Sequence, residues 1–155
     1  MGDSLAVFNE AINLIKQAKG IEYIKCSKLY ETSPVECDSD RPFLNAVIAF
    51  YCSLPIRELF ELLEEIEFVI GKRPKAKNAP RLIDIDLLFY GSLLYFDKKI
   101  IVPHPHWHRR LFVIKPLADI TDTIHLSIPI NIQEMLSLAA KQSKEQVVTI
   151  SHEVS

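Results

Sequence analysis

The run Asn78-Ala79-Pro80-Arg81-Leu82-Ile83-Asp84-Ile85-Asp86-Leu87-Leu88-Phe89-Tyr90-Gly91 sets two aspartates two residues apart inside an otherwise apolar segment. Read as a β-strand, it turns Asp84 and Asp86 to one side and Ile83, Ile85 and Leu87 to the other, because side chains alternate along a strand. Two like charges held side by side call for a counter-ion, since a carboxylate buried without a partner is costly. A divalent metal meets that need. Carboxylates roughly 7 Å apart, at about 3.3 Å rise per residue, can serve two hard cations, and Mg²⁺ takes one or two carboxylates together with substrate phosphates. Arg81 adds a fixed cation of the kind that clamps phosphate. An edge strand with one solvated face would show the same pattern. A second polar group downstream favours the metal reading: Val102-Pro103-His104-Pro105, then Arg109, Arg110 and Phe112, phosphate-compatible side chains in a turn-rich segment.

Upstream of the aspartates, Lys72 to Pro80 reads KRPKAKNAP, a basic loop with two prolines. It is either a lid over polyphosphate or a plain exposed linker. Before it, Pro55 opens a predicted helix through Leu59, Leu62, Leu63, Ile66 and Val69 to Gly71. Glu61, Glu64 and Glu65 form its solvated face, and Glu67 stands apart from them. Phe43 to Ser53 is predicted as one strand, with Leu44, Ala46, Ile48 and Phe50 on one face and Asn45 facing away from that greasier side. A further strand is expected from Ile21 to Glu31, then a polar loop over Thr32 to Pro42, a length more often functional than ornamental. The chain opens with a helix capped by Asp3 or Ser4, carrying Leu5, Phe8, Ile12 and Ile15 at helical spacing and ended by Gly20.

Beyond Gly91, Leu93 to Phe96 and Ile100 to Val102 predict a hairpin turning at Asp97-Lys98-Lys99. His104, His106 and His108 alternate in a way that zinc could use, but Pro103 and Pro105 break any strand and no cysteine or carboxylate stands close by. Asn131 and Glu134 mark the start of a helix through Met135, Leu136, Leu138 and Ala139, and Val147 to Ile150 suits a final strand.

The totals narrow the class. The 155 residues make one domain's worth of chain, with 48% hydrophobic and 25% charged residues and a net charge of −2. That balance is globular and gives no reason to expect a nucleic acid or an anionic membrane as partner. Four glycines are too few for a Gly-rich phosphate cradle, so a nucleotide would be held by side chains and metal. Cys26, Cys37 and Cys52 are odd in number and lack metal-type spacing, which suits a reducing compartment. No leader opens the chain and no apolar run reaches the roughly 18 residues of a membrane span, so a cytoplasmic protein is expected.

Taken together, these stretches resemble the 6-hydroxymethyl-7,8-dihydropterin pyrophosphokinase family of folate biosynthesis. The match runs from about Leu5 to Ile120 and is most specific over Pro80-Arg81-Leu82-Ile83-Asp84-Ile85-Asp86-Leu87-Leu88, supported by Thr32-Ser33-Pro34-Val35, Phe43-Leu44-Asn45, Val102-Pro103-His104-Pro105, Arg110 with Phe112, and Lys115-Pro116-Leu117. The resemblance implies an α/β (α+β) fold, a ferredoxin-like sandwich with an antiparallel sheet formed by residues 1–155 as a single domain. It implies transfer of pyrophosphate from ATP to the pterin alcohol with release of AMP. By position, Asp84 and Asp86 would hold two Mg²⁺ ions. Arg81 would be a lid arginine on the polyphosphate, and His104 and Arg110 would be further phosphate contacts. Glu67 would be an acid near the metal site. Asn45 would hydrogen-bond the pterin, with Phe43 and Phe112 against it and the Pro34-Val35 backbone in contact.

Three departures follow from the same comparison. Lys72 stands where the family often has an arginine, with Arg73 after it, so either could serve phosphate; Asn78 lies near the place of a lid aromatic. The family begins with a short apolar strand and a Gly-Ser-Asn turn, whereas this chain starts at Met1-Gly2-Asp3 and lacks that first strand. A late start codon, excision from a longer chain such as a fusion with another folate enzyme, or completion by a partner's strand would each account for it. The alternative function is a non-catalytic ferredoxin-like binding module, or a truncated inactive form of the enzyme. Another two-metal phosphotransferase or nuclease would also use paired aspartates, and dependence on pterin separates it.

Overall fold

Apolar side chains recurring every three or four residues from Leu5 onward fold as α1, Gly2–Gln17, with Val7, Ala11, Ile12 and Ile15 buried. The helix begins at Gly2, so Asp3 and Ser4 lie inside its first turn and not at the expected cap. The computed structural model describes residues 2–33, 43–71, 83–142 and 146–153. Gly20 ends the helical region as expected: its φ of +89° suits glycine, and an added Cβ would meet Leu54 Cγ at 3.0 Å.

The single strand expected over Ile21 to Glu31 is two strands, β1 (Ile21–Cys26) and β2 (Lys28–Ser33). The strand expected over Phe43 to Ser53 is likewise divided into β3 (Phe43–Asn45) and β4 (Ile48–Cys52). Both breaks have one cause. The backbone N–H of buried Ser27 donates to the Val47 carbonyl at 2.8 Å, and the Val47 N–H donates back to the Ser27 hydroxyl at 2.9 Å instead of to a ladder carbonyl. The hydroxyl in turn donates to the Lys28 carbonyl at 2.7 Å. Beyond this point the partners change: β1 pairs with β4, while β2 lies between β3 and a late strand over Gln146–Glu153.

Pro55 accepts the Leu59 N–H at 3.0 Å and so launches α2, Ile56–Gly71, whose Leu59, Leu63, Ile66 and Ile70 are buried. It packs on α1. The hairpin expected after Gly91 forms as β5 (Tyr95–Phe96) with β6 (Ile101–Val102), antiparallel. Its turn is held by Asp97 Oδ1, which accepts the Lys99 and Ile100 N–H groups, each at 2.7 Å. A 3-10 turn over Trp107–Arg109 leads into α3, Leu111–Ile120. No helix was expected there; a proline inside an apolar pattern ordinarily marks a helix end. Burial of Leu111, Val113, Ile114 and Leu117 carries the helix through Pro116, which removes only the donor to the Phe112 carbonyl. A second unforeseen hairpin joins β7 (Thr123–His125) to β8 (Pro129–Asn131). Then α4, Ile132–Gln142, begins as expected, with Asn131 Oδ1 accepting the Glu134 N–H at 3.0 Å. The last strand, β9, spans Gln146–Glu153 and pairs antiparallel with β2.

The architecture is thus mixed helix and small antiparallel sheets. Its contacts divide the chain into two compact units, residues 1–24, 50–87 and 155, and residues 25–49 and 88–154. In the second, a core of Val47, Trp107, Leu111, Val113, Ile114, Leu117, Ile132 and Ala139 lies among α3, α4 and the 3-10 turn. None of the helices among the described residues is long and apolar enough to cross a membrane.

The strand expected around Asp84 and Asp86 is the main correction: residues 83–90 form no regular strand. A β-strand is defined by its ladder, and the Ile85 N–H here goes to a side chain.

Ser27→Ala removes the acceptor of the Val47 N–H and leaves a buried donor unpaired. It should lower the unfolding free energy by about 1–3 kcal/mol, read from urea denaturation at unchanged m-value.

Candidate functional site

In the first unit, the aspartate segment keeps the two faces its sequence implied even without a ladder. Ile83, Ile85 and Leu87 are half-buried and Asp84 and Asp86 are exposed, because alternation needs only extended backbone. What holds the segment is Glu67. It sits on α2 beside buried Ile66 and one turn from Leu63 and Ile70, and is half-buried where Glu61, Glu64 and Glu65 are exposed. Its Oε1 accepts the Ile85 N–H at 3.0 Å. That amide lies between the two aspartates, so the Glu67 carboxylate fixes the peptide that sets their spacing. Its place off the solvated face was legible in the sequence; its partner was not.

Two exposed carboxylates are hard oxygen donors with room for water and phosphate oxygens beside them, which fits Mg²⁺. Zinc in a closed structural site would want four tightly arranged ligands. Among the described residues no three His, Cys, Asp or Glu side chains cluster as such a site requires.

The second unit holds the residues expected to bind the other ligand. In the β2–β3 ladder Tyr30 stands opposite Asn45 and Thr32 opposite Phe43, and directly opposed residues share a face. Asn45, half-buried, is therefore on the side of buried Tyr30. The expectation that Asn45 turns away from the apolar side rested on one continuous strand, which the break at Ala46–Val47 removes. The Tyr30 face is the one α3 covers: the Tyr30 hydroxyl donates to Asp119 Oδ2 at 2.7 Å, and Lys115 Nζ lies 5.8 Å from the Tyr30 ring centroid. Phe112, Lys115 and Asp119 recur at i, i+3 and i+7, one stripe of α3. Asp119 thus meets Lys28 and Tyr30 of β2, and Lys115, one turn earlier, meets Tyr30. Tyr30 and Asp119 were not singled out in the sequence, and the stripe's spacing is the signal that could have found Asp119.

Arg110 precedes α3 in extended conformation. Its guanidinium carbon lies 5.5 Å from the centroid of the half-buried Phe112 ring, a cation–π contact that holds both groups. His104 is half-buried, and its Nδ1 accepts the His106 N–H at 3.2 Å. That bond places the proton of the neutral ring on Nε2, making it a donor suited to an anionic oxygen. Of the other expected site residues, Pro34, Val35, Lys72, Arg73 and Arg81 lie outside the described residues, and Phe43 is described by its backbone pairing alone.

The chain is similar to known proteins over most of its length. A family model described as 7,8-dihydro-6-hydroxymethylpterin-pyrophosphokinase (HPPK) matches residues 1–122. The chain is 34% identical over 124 residues to the 2-amino-4-hydroxy-6-hydroxymethyldihydropteridine pyrophosphokinase of Bacillus subtilis, covering 80% of this chain and 74% of that one. It is 37% identical over 120 residues to a mitochondrial folate synthesis bifunctional protein of Arabidopsis thaliana, covering 77% of this chain and 22% of the relative. With the bifunctional protein FolKE of Lactococcus lactis subsp. cremoris the identity is 34% over 120 residues, covering 77% of this chain and 34% of that one.

Glu67→Ala should free the peptide between the aspartates. Amide hydrogen exchange at Ile85 is expected to speed up about tenfold, the worth of one hydrogen bond to a charged acceptor, and Glu67→Gln, which keeps a carbonyl acceptor, should restore most of the protection.

Proposed function

The chain belongs to the 7,8-dihydro-6-hydroxymethylpterin-pyrophosphokinase family, diphosphokinases that transfer pyrophosphate from ATP to hydroxymethyldihydropterin in folate synthesis, and on that premise we propose how its residues divide the work. Asp84 and Asp86 would hold two Mg²⁺ ions. The observation that carries this assignment is their joint exposure on a segment whose central amide is bound to Glu67. When bound, Mg²⁺ supplies charge neutralisation for the ATP phosphates.

The remaining roles follow from the same reaction. His104, through Nε2–H, and the Arg110 guanidinium donate to phosphate oxygens, with Arg81 and either Lys72 or Arg73 as further cations. Asn45 and Phe112 take the pterin, the amide reading the ring's polar edge and the phenyl stacking on its face, with Phe43 and the Pro34-Val35 backbone completing the contact. The pterin hydroxymethyl oxygen attacks the β-phosphorus in line. One O–P bond forms, the bond from that phosphorus to the AMP oxygen breaks, and the hydroxyl proton passes to water. Positioning and charge neutralisation supply the acceleration, without a covalent intermediate.

The antiparallel order β3-β2-β9, with α3 against β2 and β3, supports a ferredoxin-like sandwich as the finer description of the fold. The two bifunctional relatives support a working partnership with a second folate enzyme.

The experiment is AMP release from ATP and Mg²⁺, with and without 6-hydroxymethyl-7,8-dihydropterin. Pterin-dependent AMP is expected; AMP release indifferent to pterin would overturn the reading. Asp84→Ala should abolish turnover, a loss of at least about a thousandfold for a metal ligand, with far-UV circular dichroism unchanged. Phe112→Ala should raise the KM for pterin at least about tenfold and leave the KM for ATP within about twofold.

A further inference from the structure

We propose that Tyr30 and Asp119 are positioning residues that set the pterin-binding face, a proposal that rests on the assignment of Asn45 and Phe112 to the pterin. Tyr30 is 3% exposed, and its hydroxyl donates to Asp119 Oδ2 at 2.7 Å. The same oxygen accepts the Lys28 N–H at 3.1 Å. One carboxylate oxygen thus joins the start of β2 to the last turn of α3. Lys25 adds a second tie, its Nζ donating to the Ile120 carbonyl at 3.1 Å, where a cation also suits the negative end of the helix.

The Asp119 bonds fix α3 along β2 rather than merely against it, and the Lys25 bond ties its end to β1. Apolar packing tolerates sliding, whereas a hydrogen bond to a single oxygen does not. The element so fixed carries Phe112 at its start and Asp119 near its end. The strand so fixed carries Tyr30 directly opposite Asn45. One face of the ladder therefore holds Asn45 beside the residue that locks the helix bearing Phe112. Sliding α3 by one residue would move Phe112 by about 1.5 Å relative to Asn45, enough to spoil a stacked and hydrogen-bonded ring. Neither Tyr30 nor Asp119 needs to touch the substrate for this.

The test compares Tyr30→Phe, Asp119→Ala, Asp119→Asn and the Tyr30→Phe/Asp119→Ala double variant, each assayed for KM of pterin, KM of ATP and kcat by AMP release, with melting temperature alongside. Tyr30→Phe keeps the buried ring and loses only the hydroxyl. We expect it to raise the pterin KM about tenfold, the worth of one charge-assisted hydrogen bond, and Asp119→Ala, which removes both bonds to Oδ2, to raise it at least as much. The ATP KM and kcat should stay within about twofold. The double variant should be no worse than the worse single, and Asp119→Asn, which keeps a carbonyl acceptor for both donors, should recover most of the loss. A lowered melting temperature at unchanged pterin KM would overturn the proposal, leaving the pair a stability contact. Equal rises in the two KM values would overturn it as well. Phe112→Ala serves as the control on its foundation: an unchanged pterin KM in that variant would overturn the assignment of the pterin and the proposal with it, while a raised one beside a silent Tyr30→Phe would overturn the proposal alone.

Discussion

A buried N–H must have an acceptor, and at Val47 the acceptor is the Ser27 hydroxyl. Much of the topology follows from that substitution of a side chain for a ladder carbonyl. With Ser27 and Val47 satisfied by one another, neither chain need continue its pairing, and both can bend and take new partners beyond. Upstream, β1 keeps β4; downstream, β2 is free to sit between β3 and β9. Valine or alanine at position 27 would satisfy hydropathy equally well but offer no oxygen. A small hydroxyl residue in an apolar run is therefore the economical way to part a ribbon into two sheets.

A side chain standing in for a ladder partner recurs at the aspartates. Glu67 Oε1 takes the Ile85 N–H, and the segment keeps alternating burial without regular pairing. For a pair proposed to hold metal this has a use. A strand deep in a sheet would fix both carboxylates equally but would also crowd them with neighbours, whereas a segment held at its central amide leaves Asp84 and Asp86 exposed and their spacing defined. The cost is reliance on a single acidic residue whose own burial must be compensated, which the bond to the amide does.

In the second unit the groups proposed to meet the ligands depend on where one helix lies. Arg110 and Phe112 stand at the start of α3 and hold one another. Asp119 near its end meets Tyr30 and Lys28. Helix and strand are thereby tied by polar contacts of fixed geometry as well as by the apolar core of Ile114, Leu117 and Ile132. Core packing supplies the stability, and the polar ties supply the register.

The sequence by itself determined what depends on periodicity and on residue chemistry. Helix spacing located α1, α2 and α4, with Gly20 and Asn131 at their ends, and the Asp97 turn located the β5–β6 hairpin. The run around the paired aspartates, with its supporting matches, was sufficient to indicate the family, and metal and phosphate chemistry at Asp84, Asp86, His104 and Arg110 is the proposal built on it. Those signals are local, since a hydrophobic stripe or a pair of carboxylates is written in adjacent residues. Only the tertiary structure decided the breaks at Ser27 and Val47, the absence of a regular strand over residues 83–90, the passage of α3 through Pro116, the side on which Asn45 lies, and the pairing of Tyr30 with Asp119. Each of these turns on a partner distant in sequence: Val47 for Ser27, Glu67 for Ile85, the α3 core for Pro116, and Asp119 for a tyrosine 89 positions earlier. A backbone donor or a proline does not announce which distant group will compensate it, so those choices are settled only when the chain is packed.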